Sequence, residues 1–169
     1  RAVRLLEEAQ SVMGRELESR EVEFRVRDES AGACVEVDPD QIRQLLLNLL
    51  NNALAAVQEM DSGASIELAC RVAGGQVILE VIDNGRGMSE EERSKMFELF
   101  YSTRKGGTGL GLAIVERIAQ AHDGRLEVES EVGRGTTVRL LLPRTAARPA
   151  EEPAAIPHRE SEVPLESTG

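Results

Sequence analysis

The sequence predicts an α+β domain, and three observations carry that prediction. Apolar residues recur at helical spacing over 2–18, 40–59 and 110–121; they alternate at period two over 22–26, 66–72 and 126–131; and the strand-like runs are joined by short turns at Gly74-Gly75 and Gly133-Arg134-Gly135. The chain has 169 residues, 41% of them hydrophobic and 30% charged, which is enough for one domain with its own core. Aromatic residues make up only 2% and the formal net charge is -10, so stacking platforms for single strands are scarce and a nucleic-acid backbone is an unfavourable partner. No apolar run approaches the length of a membrane span, and no signal peptide is expected. Cys34 and Cys70 lack metal-ligand spacing and read as packing or surface thiols in a reducing compartment. The chain starts at Arg1 rather than Met, as expected of a segment cut from something longer.

Taken in order, Val3, Leu5, Leu6, Ala9, Val12, Met13 and Leu17 lie on one side of a first helix. Val22, Phe24 and Val26 then alternate with charges, and a second extended piece is expected over 33–37. Asp38-Pro39-Asp40 supplies a cap and a helix-starting proline. In the helix that follows, Ile42, Leu45, Leu46, Leu49, Leu50, Ala53, Leu54 and Val57 form a wide apolar stripe. Asn48 and Asn52 sit one turn apart on a different face. Asparagine is a mediocre helix former, and its amide carbonyl is a hard oxygen ligand that Mg²⁺ accepts beside water and phosphate; a solvated face would explain the pair without any ligand.

The run Val77–Ile82 is more continuously apolar than its neighbours and reads as a central strand. It ends in Asp83-Asn84-Gly85-Arg86-Gly87-Met88, which places a carboxylate at the edge of the core, followed by glycines that leave room for a flat ligand. An ionised Asp83 accepts hydrogen bonds only and would select a donor such as the adenine amino group, although Asp-Asn-Gly is also ordinary turn chemistry. Ser89 followed by acids predicts a short capped helix to Met96. The segment from Phe97 through Tyr101 to Arg104-Lys105 reads as a lid whose two cations would meet a terminal phosphate. Next, Gly106-Gly107-Thr108-Gly109-Leu110-Gly111-Leu112 puts four glycines within six residues before an apolar helix, a loop able to wrap an anion at a helix N-terminus. It lacks the Gly-Lys-Ser/Thr of a P-loop and the preceding strand of a dinucleotide fingerprint. Strands at 126–131 and 136–142 close the domain at Pro143, and residues 144–169, rich in Pro, Ala, Ser and Glu, are expected to be a disordered tail or linker.

In this order the pieces resemble the catalytic ATP-binding domain of sensor histidine kinases, within the superfamily of gyrase, heat-shock chaperone and mismatch-repair ATPases. Asn48-Leu49-Leu50-Asn51-Asn52-Ala53 is similar to the N box, Asp83–Met88 to the first glycine box, Met96–Phe100 to the F box and Gly107–Leu112 to the second glycine box. The resemblance covers residues 1–143 and implies a two-layer α/β sandwich of the Bergerat type, with helices on one face of a mixed, mostly antiparallel sheet. It implies that Asn52 ligates Mg²⁺ with support from Asn48, that Asp83 binds the adenine amino group with Thr136 helping through water, and that Gly85, Gly87, Met88, Phe97, Gly107, Thr108, Gly109, Leu110, Gly111 and Leu112 shape the nucleotide pocket. His122 fits a place where the family often has His-Gly-Gly and reads as structural.

The activity so implied is transfer of the γ-phosphoryl of Mg-ATP to a histidine on a dimerisation domain outside this chain, with Asn48, Arg104 and Lys105 as catalytic groups. The superfamily's ATPases place a glutamate where Asn48 stands, so transfer is expected over hydrolysis. The implied partners are that dimerisation domain, in a homodimeric parent, and the receiver domain of a response regulator, with neither nucleic acid nor direct membrane contact. The implied location is cytoplasmic, alone or as the cytoplasmic portion of a membrane-bound parent. The alternatives are a nucleotide-dependent protein-binding module and a serine kinase of the anti-sigma-factor type. Three departures stand out: Ala55 where a basic residue is common, Ser102-Thr103-Arg104 in place of Thr-Thr-Lys, and Leu99 where a proline is common.

Overall fold

The computed structural model describes residues 1–58, 60, 62–102 and 107–146. Helix α1 (Ala2–Ser19) leads into strand β1 (Glu23–Glu29), then helix α2 (Pro39–Val57). The hairpin β2 (Ser65–Ala73) and β3 (Gln76–Asp83) turns at Gly74-Gly75 as expected; after it come short α3 (Glu90–Lys95), α4 (Gly111–Ala121), β4 (Arg125–Glu131) and β5 (Gly135–Pro143). The five strands form one sheet in the order β1-β2-β3-β5-β4, with β1 parallel to β2 and the other pairings antiparallel. The apolar run Val77–Ile82 therefore lies in the central strand, where both neighbours satisfy its backbone. Among the described residues no helix is long and apolar enough to cross a membrane.

Helix α2 lies between α1 and α4 on one face of this sheet. Its stripe from Ile42 to Val57 is fully withdrawn from water and meets Leu68 and Cys70 of β2, Leu79 and Val81 of β3, and Val138 and Leu140 of β5. Because side chains alternate along a strand, Asp83 falls in the same series as Leu79 and Val81 and points into the layer between sheet and helices. The opposite face carries Glu80, which bonds Arg71 and Arg139, while Arg139 also reaches Glu129. Burial pushes Glu80 up, but the two guanidinium groups outweigh it and hold this carboxyl below its usual range.

The ends of the helices are fixed by the residues the sequence singled out. Asp38 Oδ1 accepts the N–H groups of Asp40 and Gln41 at the start of α2. Ser89 and Glu92 form a reciprocal capping box on α3. His122 is structural: one ring nitrogen lies 2.7 Å from Ile118 O and the other accepts the Asp38 N–H at 3.0 Å, tying the end of α4 to the start of α2. The strand expected over 33–37 does not form. Ala33 O is taken by the Ala2 N–H and Cys34 makes a single bridge to Thr145, so this segment's backbone partners are the start of α1 and the residues just past β5 rather than a strand. Backbone pairing thus continues past the expected boundary at Pro143, through Arg144 and Thr145; the residues from 147 onward lie outside the described ones.

Candidate functional site

Two adjoining cavities open between α2, the end of β3 and the glycine segment that precedes α4. The first, about 720 Å³, is lined by Asn52, Ala53, Ala55, Ala56, Asp83, Arg86, Gly87 and Thr136, with Leu49, Val81 and Val138 as its apolar floor. The second, about 830 Å³, is lined by Asn48, Asn51, Asn52, Glu92, Tyr101, Ser102, Gly107, Thr108, Gly109 and Gly111. Asn52, Met88, Met96 and Leu112 belong to both, so the two form one continuous cleft. One end is mainly apolar with a single carboxylate; the other is rimmed by amides and backbone.

At the apolar end Asp83 is only 8% exposed. Its Oδ1 accepts the Gly85 N–H at 2.9 Å, and the Thr136 N–H also bonds the carboxylate. Burial pushes this carboxyl up to about 6 despite those two donors. A carboxylate in this setting gains from a further donor brought by a ligand. Thr136 pairs with Asp83 across β3 and β5, and its Oγ1 lies 2.9 Å from Ser130 Oγ, which also accepts the Met88 N–H. These bonds pin the first glycine box to the β4–β5 hairpin.

At the polar end the side-chain nitrogens of Asn48 and Asn52 are buried and have no hydrogen-bond partner among the described residues. An unsatisfied buried donor costs about 1–3 kcal/mol, so two of them on adjacent turns mark a place completed by a ligand. A half-turn of each amide exchanges nitrogen for oxygen, and the pair then presents two hard oxygen ligands. A Cβ on Gly111 would stand 4.0 Å from Asn48 Oδ1, an ordinary van der Waals distance, so the start of α4 lies beside Asn48. Helices α2 and α3 begin with side-chain caps, whereas α4 begins at Leu110 without one and with no acid in its first turn. Its first N–H groups, at Gly111 and Leu112, border the cavity and suit an anion. Gly109 and Phe100 meet at the neck of this segment: the Phe100 N–H donates to Gly109 O at 3.0 Å, and Gly109 holds φ +64° where a Cβ would fall 2.3 Å from the Phe100 carbonyl carbon.

The cleft brings together Asn48, Asn52, Asp83, Gly87, Met88, Gly107, Thr108, Gly109, Gly111, Leu112 and Thr136 from the residues singled out in the sequence. Three others stand behind it. Gly85 packs against Ala56 and holds Asp83 through its N–H, Phe97 packs on the core, and Leu110 stands just before the first turn of α4 without capping it. Arg104 and Lys105 lie outside the described residues. The structure adds Asn51, Ala56, Met96, Tyr101, Arg86 and Glu92 to the lining. Arg86 lies inside the first glycine box, and Glu92 is the glutamate that closes the capping box; the sequence marked both places without marking either side chain.

A family profile described as histidine kinase-, DNA gyrase B- and HSP90-like ATPase matches residues 37–146. Among characterised relatives, the chain is 31% identical over 144 residues to the sensor histidine kinase ZraS of Escherichia coli (strain K12), covering 85% of this chain and 30% of that protein. It is 35% identical over 115 residues to sporulation kinase C of Bacillus subtilis (strain 168), covering 68% and 26%. The chain therefore spans under a third of these relatives' length. Its fold superposes on the nucleotide-free catalytic domain of histidine kinase ThkA with a TM-score of 0.75 at 27% identity, covering 86% of this chain and 95% of that one. Full-length ShkA in complex with AMPPNP gives the same TM-score at 29% identity, covering 85% of this chain and 30% of that one.

Proposed function

The chain belongs to the family of histidine kinase-, DNA gyrase B- and HSP90-like ATPases, and from that premise we propose that it is the ATP-binding catalytic domain of a sensor histidine kinase, moving the γ-phosphoryl of Mg-ATP to a histidine on a dimerisation segment outside this chain. The observation that carries the reading is the single cleft with a buried carboxylate at one end and orphaned amides beside an uncapped helix start at the other. That polarity matches a purine with an amino group joined to a polyphosphate.

Asp83 would accept the adenine amino hydrogen, rejecting a base that offers a carbonyl there. The N–H groups that open α4 would hold phosphate oxygens, and Asn52 and Asn48 would hold Mg²⁺ through their amide oxygens. The metal, when bound with the nucleotide, supplies charge neutralisation on the phosphates. Catalysis by this chain is then positioning and electrostatics, with no covalent step on its own side chains. Glu92 is the one carboxylate among the described residues lining the phosphate end, and the Ser89 N–H holds it below the usual carboxylate range. So weak a base is poorly suited to activating water, which favours transfer over hydrolysis. The receiver domain of a response regulator would take the phosphoryl group next, and the parent would act as a homodimer.

ATP affinity is expected to fall as pH drops through about 6, because protonating Asp83 removes the acceptor the base needs. Calorimetry from pH 7.5 to 5.5 measures it, and an affinity that is flat or rises across that window would remove Asp83 from base recognition. The transfer itself is tested by incubating the full-length protein with γ-labelled ATP. Label that is lost in acid and kept in base is the expected phosphohistidine; the reverse stability would make the product a phosphoserine and contradict the reading.

A further inference from the structure

Among the described residues that line the cleft, Arg86 is the one cation. It is fixed at both ends. Its backbone N–H donates to Ala56 O near the end of α2 and its carbonyl accepts the Gly133 N–H, while its Nη1 lies 2.9 Å from Glu92 Oε1. Glu92 is itself immobilised, because its other oxygen accepts the Ser89 N–H at 2.8 Å within the capping box. Arg86 lines the apolar cavity and Glu92 the polar one, so their ion pair spans the seam between the two. Ala55 and Ala56 line the same cavity as Arg86 and carry only methyl groups. A chain of net charge -10 that admits a polyanion needs a local cation where the charge enters, and a guanidinium's planar fork suits phosphate oxygens.

We propose that Arg86, steered by Glu92, is a nucleotide-binding residue that contacts the anionic part of the ligand where it leaves the base cavity. This deepens the ATP-binding reading above and rests on it. Glu92 acts as a positioning residue: it keeps the guanidinium at the seam. The contact is to the phosphate chain, so it discriminates nucleotides from nucleosides rather than one base from another.

The test compares adenosine, ADP and Mg-ATP binding by calorimetry for the wild-type chain, Arg86→Ala, Arg86→Lys, Glu92→Gln and the double variant Arg86→Ala/Glu92→Gln. Glutamine serves at the third position of a capping box, so Glu92→Gln removes the charge and keeps the helix start. Arg86→Ala is expected to weaken ADP and ATP about tenfold, with Arg86→Lys in between and adenosine unchanged within about twofold. Adding Glu92→Gln to Arg86→Ala should recover less than half of that loss in free energy. An equal loss for adenosine, no loss for ADP, or full recovery in the double variant would overturn the contact, the last by reducing Arg86 to a screen for Glu92. A wild-type chain that binds neither ADP nor ATP would instead bring down the nucleotide reading beneath it.

Discussion

Replacing Asp83 with asparagine is expected to abolish ATP binding and at the same time to raise the melting temperature of the nucleotide-free chain. Both effects come from one carboxylate held in the wrong place for its own solvation. Its pKa of about 6 lies above the ordinary 3.8, so the folded chain at neutral pH carries a buried charge that the unfolded chain does not. The sign follows from that direction. Stability from this group rises as pH falls from about 6 toward 3.8 and is withheld above, and neutral asparagine lifts the penalty wherever the buried carboxylate would be ionised. The gain is of the order of 1–3 kcal/mol, or several degrees in a domain of this size. Asparagine Oδ1 still accepts the Gly85 or Thr136 N–H, but its NH₂ then faces the adenine amino group, donor against donor. Loss of a charge-assisted bond with an added mismatch costs about 3 kcal/mol or more, a factor above about a hundred in affinity. Calorimetry and thermal unfolding on the same sample read both effects. Retained affinity in a stabilised variant would leave Asp83 as a core residue with no ligand.

Gly87→Ala is expected to be strongly destabilising for a single added methyl. Gly87 sits at φ +65°, and a Cβ on it would fall 2.0 Å from Glu131 O and 2.7 Å from Glu131 C, both backbone atoms that have nowhere to retreat. The left-handed conformation alone costs alanine about 1–2 kcal/mol. The overlap must also push the β4–β5 turn off the first glycine box, breaking the 2.7 Å bond from the Gly133 N–H to Arg86 O and loosening the Met88 bond to Ser130. A loss above about 3 kcal/mol in urea unfolding is expected, with nucleotide affinity falling in whatever fraction remains folded. Gly133→Ala, whose Cβ meets nothing within 4 Å despite its φ of +78°, is the control and should cost only the conformational term. Equal, small losses in the two variants would contradict this account of the close approach.

The residues that were legible in the sequence are those whose position is set by a period. Asn48 and Asn52 stand one turn apart on a helix whose apolar stripe was unmistakable, so their shared face could be read directly. Asp83 ends a strand whose inward series is Val77, Leu79 and Val81, and the same alternation carries it into the layer beneath the helices. Arg86 obeys no such rule. A side chain in a turn takes its direction from the bonds around it, here Ala56 O and Gly133 N–H, and those partners lie far away in sequence. Ala33–Val37 misled for a related reason: its alternation is genuine, but strands need a neighbour, and the backbone partners nearest to it are the start of α1 and Thr145. Gly85, expected to shape the pocket, lies against Ala56 at the end of α2, a packing that its place in the sequence did not reveal.

The central claim is that one nucleotide lies along the whole cleft, touching the asparagine pair and the buried carboxylate together. The most direct measurement is amide NMR of the 169-residue chain during titration with Mg-ATP. The account predicts concerted, saturable shifts of the Asn48 and Asn52 side-chain amides, the Gly85 and Thr136 backbone N–H groups beside Asp83, and Gly111 at the start of α4, all with one dissociation constant. Shifts confined to one end of the cleft, or saturating at different concentrations at the two ends, would contradict it.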